Sequence, residues 1–396
     1  MTHLAGAWYR TAQGAGLVDA SGRIAQTIFA EMSALASATG AINLGQGFPD
    51  EDGPAEVLEA ARAAIADGRN QYPPGRGIPD LRQAVAEHQQ RFYDLRVDPE
   101  TEVLVTAGAT EALTAAVLAL VDGPEDDVIV FEPFYDSYAA AVALSGARLR
   151  AVPLPWPHFQ PDLDLLADAF SERTRAILVN NPHNPTGAVF APEVLAQIVR
   201  LAEQHDAIIL TDEVYEHLSF GAPHLPIATL PGAAERTLSI SSGGKTFRTT
   251  GWKIGWITGP ADLITAVTTV KQYLTYVNGS PFQPAIAVGL RLPDAYFIGV
   301  RDELAAGATV LGNGLVAAGF SVSAPAGSYF TVADVGEDAE AFSHQLPARV
   351  GVVGIPLTAF VTPKHRAQFA TLVRFTASKR LSVLQEAAAR LASLHS

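Results

Sequence analysis

Five short, continuous apolar runs separated by longer amphipathic stretches constrain this chain more than any other feature. They are EVLVT (102–106), DVIVF (127–131), RAILVN (175–180), AIILT (207–211) and TLSIS (237–241). They lack the strict polar alternation of a strand with one wet face and read as strands buried on both faces. The intervening spacing predicts helices over 110–121, 136–144, 191–205 and 261–276. Such alternation packs as a mostly parallel sheet covered by helices on both sides, which is the α/β class. Two further helices are expected upstream. PAEVLEAARAAIADG is punctuated by Pro54 and Gly68, and IPDLRQAVAEHQQRFY follows it. After about residue 291 the pattern changes to a long helix (294–318), short mixed strands (321–334) and closing helices. The expected organisation is an arm or loose extension over 1–26 and a large domain over 54–290, with a smaller α+β domain built from 27–53 and 291–396.

Of the 396 residues 48% are hydrophobic and 17% charged, enough for a large core. The 41 acidic residues exceed the 27 basic ones, giving a net charge of −14. That charge gives no general attraction to nucleic acid or anionic lipid, so neither is expected as a partner. With no cysteine, disulfides, thiolate metal sites and Cys nucleophiles are excluded. The start, MTHLAGAWYRTAQGAGLVDASGR, is not built like a signal peptide, and no uncharged apolar run approaches the ~18 residues of a membrane helix. A cytoplasmic, soluble protein is the expectation.

Familiar short motifs fail in detail. GGKT (243–246) would need a glycine where Ser239 stands to be a phosphate-binding P-loop. GQGFPD (45–50) ends in Asp50 and lacks a surrounding strand-to-helix unit. His183, His205 and His217 show no metal-ligand spacing, so ordinary core or surface roles and no metal are expected.

Four segments instead fall at the ends of predicted strands, where open α/β sheets bind ligands. They are TAGATEAL (106–113), NNPHNPTG (180–187), TDEVYEHL (211–218) and SSGGKTFRTTGWKIGW (241–256). Singly, each reads as a turn, a cap or a surface lysine. Together with INLGQGFPD, NQYPPGRG, EPFYDSY, GSYF and RFTASK, they resemble the class I/II aminotransferases, fold-type-I enzymes dependent on pyridoxal 5'-phosphate. The resemblance runs from about residue 27 to the C-terminus. It is strongest to the kynurenine/glutamine/methionine subgroup, which includes actinobacterial enzymes assigned to N-succinyldiaminopimelate.

The resemblance implies roles for individual residues. Lys245 would form the Schiff base with the cofactor and then shuttle a proton, which requires a neutral amine. Asp212 would keep the cofactor's ring nitrogen protonated, while Tyr215 and Asn184 would hydrogen-bond its phenolate oxygen. Tyr135 would stack on the ring. The backbone N–H groups of Ala109 and Thr110, with Ser242 and Lys253, would hold the phosphate. Tyr72 would reach the phosphate of a neighbouring subunit, making the active unit a homodimer. Arg374 would bind the substrate carboxylate, with Gly47 and Asn180 completing that end.

The pocket departs from the family in two places. Ala377 replaces a second phenylalanine often found there, and VNGSP (277–281) lacks an aromatic–His pair of the animal kynurenine enzymes. Thr110 stands where an aspartate-using subgroup has a lysine. The expected donor is therefore neutral and large: methionine, glutamine, an aromatic amino acid or kynurenine. A succinylated, acidic donor would need a second cation, for which Lys271, Arg291 and Arg248 are candidates. β-Elimination from cysteine conjugates on the same scaffold is an alternative chemistry. A non-enzymatic regulator is set aside, because only about 25 residues precede the region of resemblance and the net charge is negative.

Overall fold

The computed structural model describes residues 6–19 and 21–395. The expected arm thus lies partly outside the described residues, at 1–5 and 20. Seven strands form the main sheet: β1 (Val103–Thr106), β2 (Asp127–Glu132), β3 (Arg148–Pro153), β4 (Thr174–Asn180), β5 (Ile208–Asp212), β6 (Thr237–Ser242) and β7 (Gly255–Thr258). Their order is β1-β7-β6-β5-β4-β2-β3. All neighbours are parallel except at β7, which runs antiparallel to both β1 and β6.

Alternate residues of the strands feed two cores. Ile129, Phe131, Ile177, Val179 and Ile209 face one side, with Val194, Leu195 and Ile198 of the helix Pro192–Gln204. Val128, Val130, Ala176, Leu178, Leu210 and Ile240 face the other, against helices Gly108–Leu120, Asp136–Ser145 and Ala261–Lys271. This two-sided burial explains the continuous apolar runs: neither face of the period-2 alternation meets water. Each large aliphatic side chain buried this way contributes about 1.5–3 kcal/mol.

The C-terminal part forms a second, antiparallel sheet from β8 (Ser321–Ser323), β9 (Phe330–Asp334), β10 (Ile355–Pro356) and β11 (Leu372–Thr376), in the order β10-β11-β9-β8. Leu311 and Leu315 of the helix Asp294–Ala317 and Leu384 and Leu391 of the helix Leu381–Ala392 cover it.

The strands β3 and β7 are not among those expected from the sequence, and two helical segments also differ from the expectation. The helix expected over 261–276 stops at Lys271, and Tyr276 takes a positive φ of 60°. The Lys271 ammonium folds back onto the Tyr276 carbonyl at 2.6 Å, which fixes this turn. Within the expected arm, Ala7–Gly14 is a helix. Ala12 is buried, and the Arg10 guanidinium donates to the Ala143 carbonyl at 3.2 Å, docking the segment on the helix Asp136–Ser145.

Candidate active site

Strand register assembles the site. Asn180 pairs with Asp212 across β4 and β5, and Ser242 pairs with Gly255 across β6 and β7. β4 and β5 therefore end level, β6 runs two residues further, and the turns that follow them converge on one edge. A cavity of about 340 Å³ opens there. Its walls include Gly47, Ala109, Thr110, Tyr135, Asn180, Asn184, Asp212, Tyr215, Ser242, Lys245, Lys253 and Arg374. These are all the expected site residues except Tyr72.

Asp212 closes β5 and is 5% exposed. The Tyr138 hydroxyl donates to its Oδ2 at 2.7 Å. Burial pushes the carboxyl up to about 6 despite that hydrogen bond, because a charge in a low-dielectric site is costly. Lys245 sits on a single helical turn, Gly243–Thr246, capped by the Ser242 hydroxyl, which accepts from the Gly244 N–H at 3.1 Å. Its ammonium lies 5.8 Å from the centre of the Tyr215 ring and 5.7 Å from that of Tyr329. Tyr215 is buried, which drives its phenol well above the ordinary range.

At the start of the helix Gly108–Leu120, Ala109 and Thr110 occupy the first turn, whose N–H groups have no partner within the helix. Gly108 has φ +74°, and a Cβ there would lie 3.2 Å from the Lys253 ammonium. A glycine is thus what lets this cation reach the helix start. Burial, and then the Lys245 charge, lower the Lys253 amine from its usual range. A helix N-terminus with an adjacent amine and a serine hydroxyl forms a set of donors suited to a phosphate.

Arg374 projects from the centre of β11 and is 1% exposed. It donates to the Gly45 carbonyl at 2.6 Å and to Asn184 Oδ1 at 3.1 Å, while its Nε has no partner. Its guanidinium lies 4.3 Å from the Phe330 ring centre and 4.7 Å from that of Phe360. Burial brings its pKa down to about 10, so it stays cationic at neutral pH. A buried guanidinium with a free donor in a cavity wall suits an incoming carboxylate. Gly47 stays small because a Cβ there would press on Phe330 and Tyr329 at 2.6–2.9 Å. Asn180 lines the cavity, but both ends of its amide are engaged: Nδ2 with the Asp212 carbonyl at 2.8 Å and Oδ1 with the Asn184 N–H at 2.6 Å. It ties the NPHNPTG loop to the end of β5.

Tyr72 stands apart, 82% exposed and 5.7 Å from the Tyr276 ring. Lys271, Arg291 and Arg248 do not line the cavity and are committed elsewhere. Lys271 holds Tyr276, Arg291 pairs with Asp80 and Glu87, and Arg248 pairs with Glu51 and Glu303. The sequence reading passed over Tyr138 as the partner of Asp212. It lies three residues after Tyr135, and that helical spacing places it beside Tyr135.

The chain is similar over nearly its whole length to known proteins. A family model described as aminotransferase class I and II matches residues 39–391. The probable N-succinyldiaminopimelate aminotransferase DapC of Mycobacterium tuberculosis is 51% identical over 383 residues, covering 93% of this chain and 96% of that protein. The three-dimensional structure of N-succinyldiaminopimelate aminotransferase from that organism superposes with a TM-score of 0.90, over 93% of this chain and 97% of the other. The methionine aminotransferase of Escherichia coli is 38% identical over 378 residues, covering 94% of this chain and 97% of that protein. With the family match spanning nearly the whole chain and its cavity holding the lysine, aspartate and arginine together, the protein belongs to the class I and II aminotransferases, a family of pyridoxal-phosphate-dependent transaminases.

Proposed function

We propose that the cavity holds pyridoxal 5'-phosphate and moves an amino group from N-succinyldiaminopimelate, or an L-amino acid of similar length, to a 2-oxo acid. One observation carries the cofactor assignment. Lys245, Asp212, Tyr215, Asn184 and Lys253 come from separate turns yet line one cavity, with a donor-rich helix start at one end. When bound, the cofactor supplies an electron sink for negative charge at the substrate α-carbon.

The chain's own residues do the rest. Lys253, Ser242 and the N–H groups of Ala109 and Thr110 hold the phosphate. The Asp212 carboxylate, oriented by the Tyr138 hydroxyl, would hold a proton on the cofactor's ring nitrogen. Tyr135, Tyr215 and Asn184 line the same cavity; Tyr135 would flank the cofactor ring, and Tyr215 and Asn184 would donate to its phenolate oxygen. Arg374, which lines the cavity, would clamp the substrate carboxylate with its guanidinium. Lys245 would hold the cofactor, and its free amine would take the proton from the substrate α-carbon as general base and return it as general acid. The aromatic walls Phe29, Phe48 and Phe330 exclude water around that transfer.

The donor assignment rests on the 51% identity to the mycobacterial protein. No cation expected for the distal carboxylate lies free in the cavity, but Lys379 adjoins it. Its ammonium is 4.1 Å from the centre of the Phe48 ring and bonds the Phe48 carbonyl at 2.7 Å. A second reading, a neutral donor such as methionine, is favoured by those same aromatic walls. A cytoplasmic site of action completes the proposal, on the cysteine-free composition.

Borohydride reduction and peptide mapping should label Lys245, and label on Lys253 or Lys271 would refute the lysine assignment. Single-turnover absorbance with N-succinyldiaminopimelate, methionine, glutamine, kynurenine and aspartate then ranks the donors. The succinylated donor should lead in kcat/KM, and aspartate in first place would mean the pocket is misread.

A further inference from the structure

Behind the cavity, a cluster of buried polar groups takes no part in this chemistry. His88 lies on the helix Pro79–Tyr93, and Glu216 and His217 lie on the turn that follows β5. Their ligand-capable atoms all fall within 4.8 Å of one another. His88 is 1% exposed and Glu216 4%. The two imidazole Nε2 atoms stand 2.7 Å apart, sharing one proton. Glu216 accepts from the Ser241 hydroxyl through Oε1, and its buried Oε2 has only the Tyr93 hydroxyl to serve it, while the buried His88 Nδ1 has no partner. The buried Tyr93 hydroxyl sits beside Glu216 and acts on its carboxylate. Around them are apolar rings: the His217 ring centre lies 4.7 Å from that of Phe92 and 4.3 Å from that of Phe297. A buried carboxylate served only by hydroxyls, beside two imidazoles and among aromatic rings, is a setting that a bound cation would stabilise.

We propose that His88, Glu216 and His217 form a binding site for a divalent transition-metal ion of the zinc class. Two imidazole nitrogens and one carboxylate oxygen are the donor set such ions prefer, whereas calcium and magnesium take mostly oxygen. With bonds of about 2.0–2.2 Å, neighbouring ligands of a tetrahedral ion stand roughly 3.3 Å apart. The imidazoles must part by about 0.6 Å and the carboxylate must close in, shifts within the reach of side-chain rotation. On binding, the proton between the rings moves to His88 Nδ1, which has no partner at present, so that both Nε2 atoms present lone pairs. A fourth position is left for water or the Tyr93 hydroxyl. His217 is only partly buried and provides the route of entry. The ion would tie the helix Pro79–Tyr93 to the turn carrying Tyr215.

The test uses tag-free holoenzyme, stripped with EDTA, dialysed against zinc chloride and passed through gel filtration before elemental analysis. Wild-type protein should retain one zinc per chain, and His88→Gln and Glu216→Gln should each weaken retention about tenfold or more. His344→Gln, which removes an exposed His–Glu pair with Glu31, should leave retention unchanged. Zinc should raise the melting temperature of the wild type and not of the two ligand variants. X-ray absorption on the wild type should give a shell of two imidazoles and one carboxylate, a readout that stands even if a variant fails to fold. Wild-type protein that retains no zinc, variants that retain as much as wild type, or a zinc shell without two imidazoles would each overturn the proposal.

Discussion

Asp212 is under two opposed demands. Burial favours its neutral form and raises its pKa to about 6, yet its proposed task requires the anion facing a cationic ring nitrogen. The Tyr138 hydrogen bond and the Lys245 charge both favour the anion, and a bound cation would favour it further. Replacing Asp212 with alanine should leave a protein that still takes up cofactor through the phosphate donors but turns over poorly. Loss of a buried charged partner costs about 2–5 kcal/mol, so kcat should fall by roughly one and a half to four powers of ten. Turnover within threefold of wild type would remove Asp212 from the mechanism. His183 makes a contrasting case. It is 1% exposed, bonds Thr186 at 2.7 Å, and burial holds its pKa down at about 3. The unfolded chain binds that proton near 6.5, so between about 6.5 and 3 the unfolded state carries more protons than the folded one. The stability due to neutral His183 is therefore complete above pH 6.5 and declines as pH falls, at up to about 1.4 kcal/mol per pH unit. Urea denaturation from pH 7 to 4.5 should show a steeper loss for wild type than for His183→Asn, and parallel curves would contradict the assignment.

At the scale of elements, strands and loops differ in how much of their structure is local. The five apolar runs were legible because burial on both faces leaves a continuous signature, and the turns after β4, β5 and β6 because their residue types match a chemistry. β3 was not read as a strand. Its sequence RLRAVP alternates charge with apolar residues, since Arg148 and Arg150 both reach the buried Asp127 from the sheet edge. The cluster of His88 with Glu216 and His217 was invisible for a related reason: 128 positions separate His88 from Glu216, and only the packing of a helix against a turn joins them. The loop after β4 shows what a local motif conceals. Gly187 of Asn-Pro-Thr-Gly reads as a plain turn residue, yet its φ is +74° and a Cβ there would lie 2.4 Å from the Phe330 carbonyl oxygen. Gly68 has a similar φ of +80° with nothing within 4 Å. Gly68→Ala should cost only the conformational strain, about 1–2 kcal/mol. Gly187→Ala adds steric overlap with β9 and should cost about 2–5 kcal/mol. Equal urea midpoints for the two variants would show that the close approach at Gly187 is not a constraint.

For the whole molecule, the residue that the cavity leaves out is the informative one. Tyr72 is 82% exposed, and Tyr273 (86%), Leu274 (45%) and Tyr276 (42%) are exposed nearby in sequence or space. Aromatic side chains gathered on the surface of a single chain mark an interaction face. The resemblance would assign Tyr72 to a neighbour's phosphate, and the expected assembly is then a twofold dimer using this face symmetrically. Complementation separates the two possible geometries. Tyr72→Phe and Lys245→Ala chains are unfolded together and refolded as a mixture. If Tyr72 serves the partner, each mixed dimer has one site with both lesions and one with neither. The intact site should then show the wild-type cofactor affinity, with half the turnover of a wild-type dimer. If Tyr72 serves its own chain, every mixed dimer has one site lacking the lysine and one lacking the tyrosine hydroxyl. The mixture would then show only the weakened affinity of the Tyr72→Phe homodimer. Recovery of wild-type affinity in the purified mixed dimer is the expected result. Its absence, or a fully active monomer in sedimentation, would mean that one chain suffices to build the site.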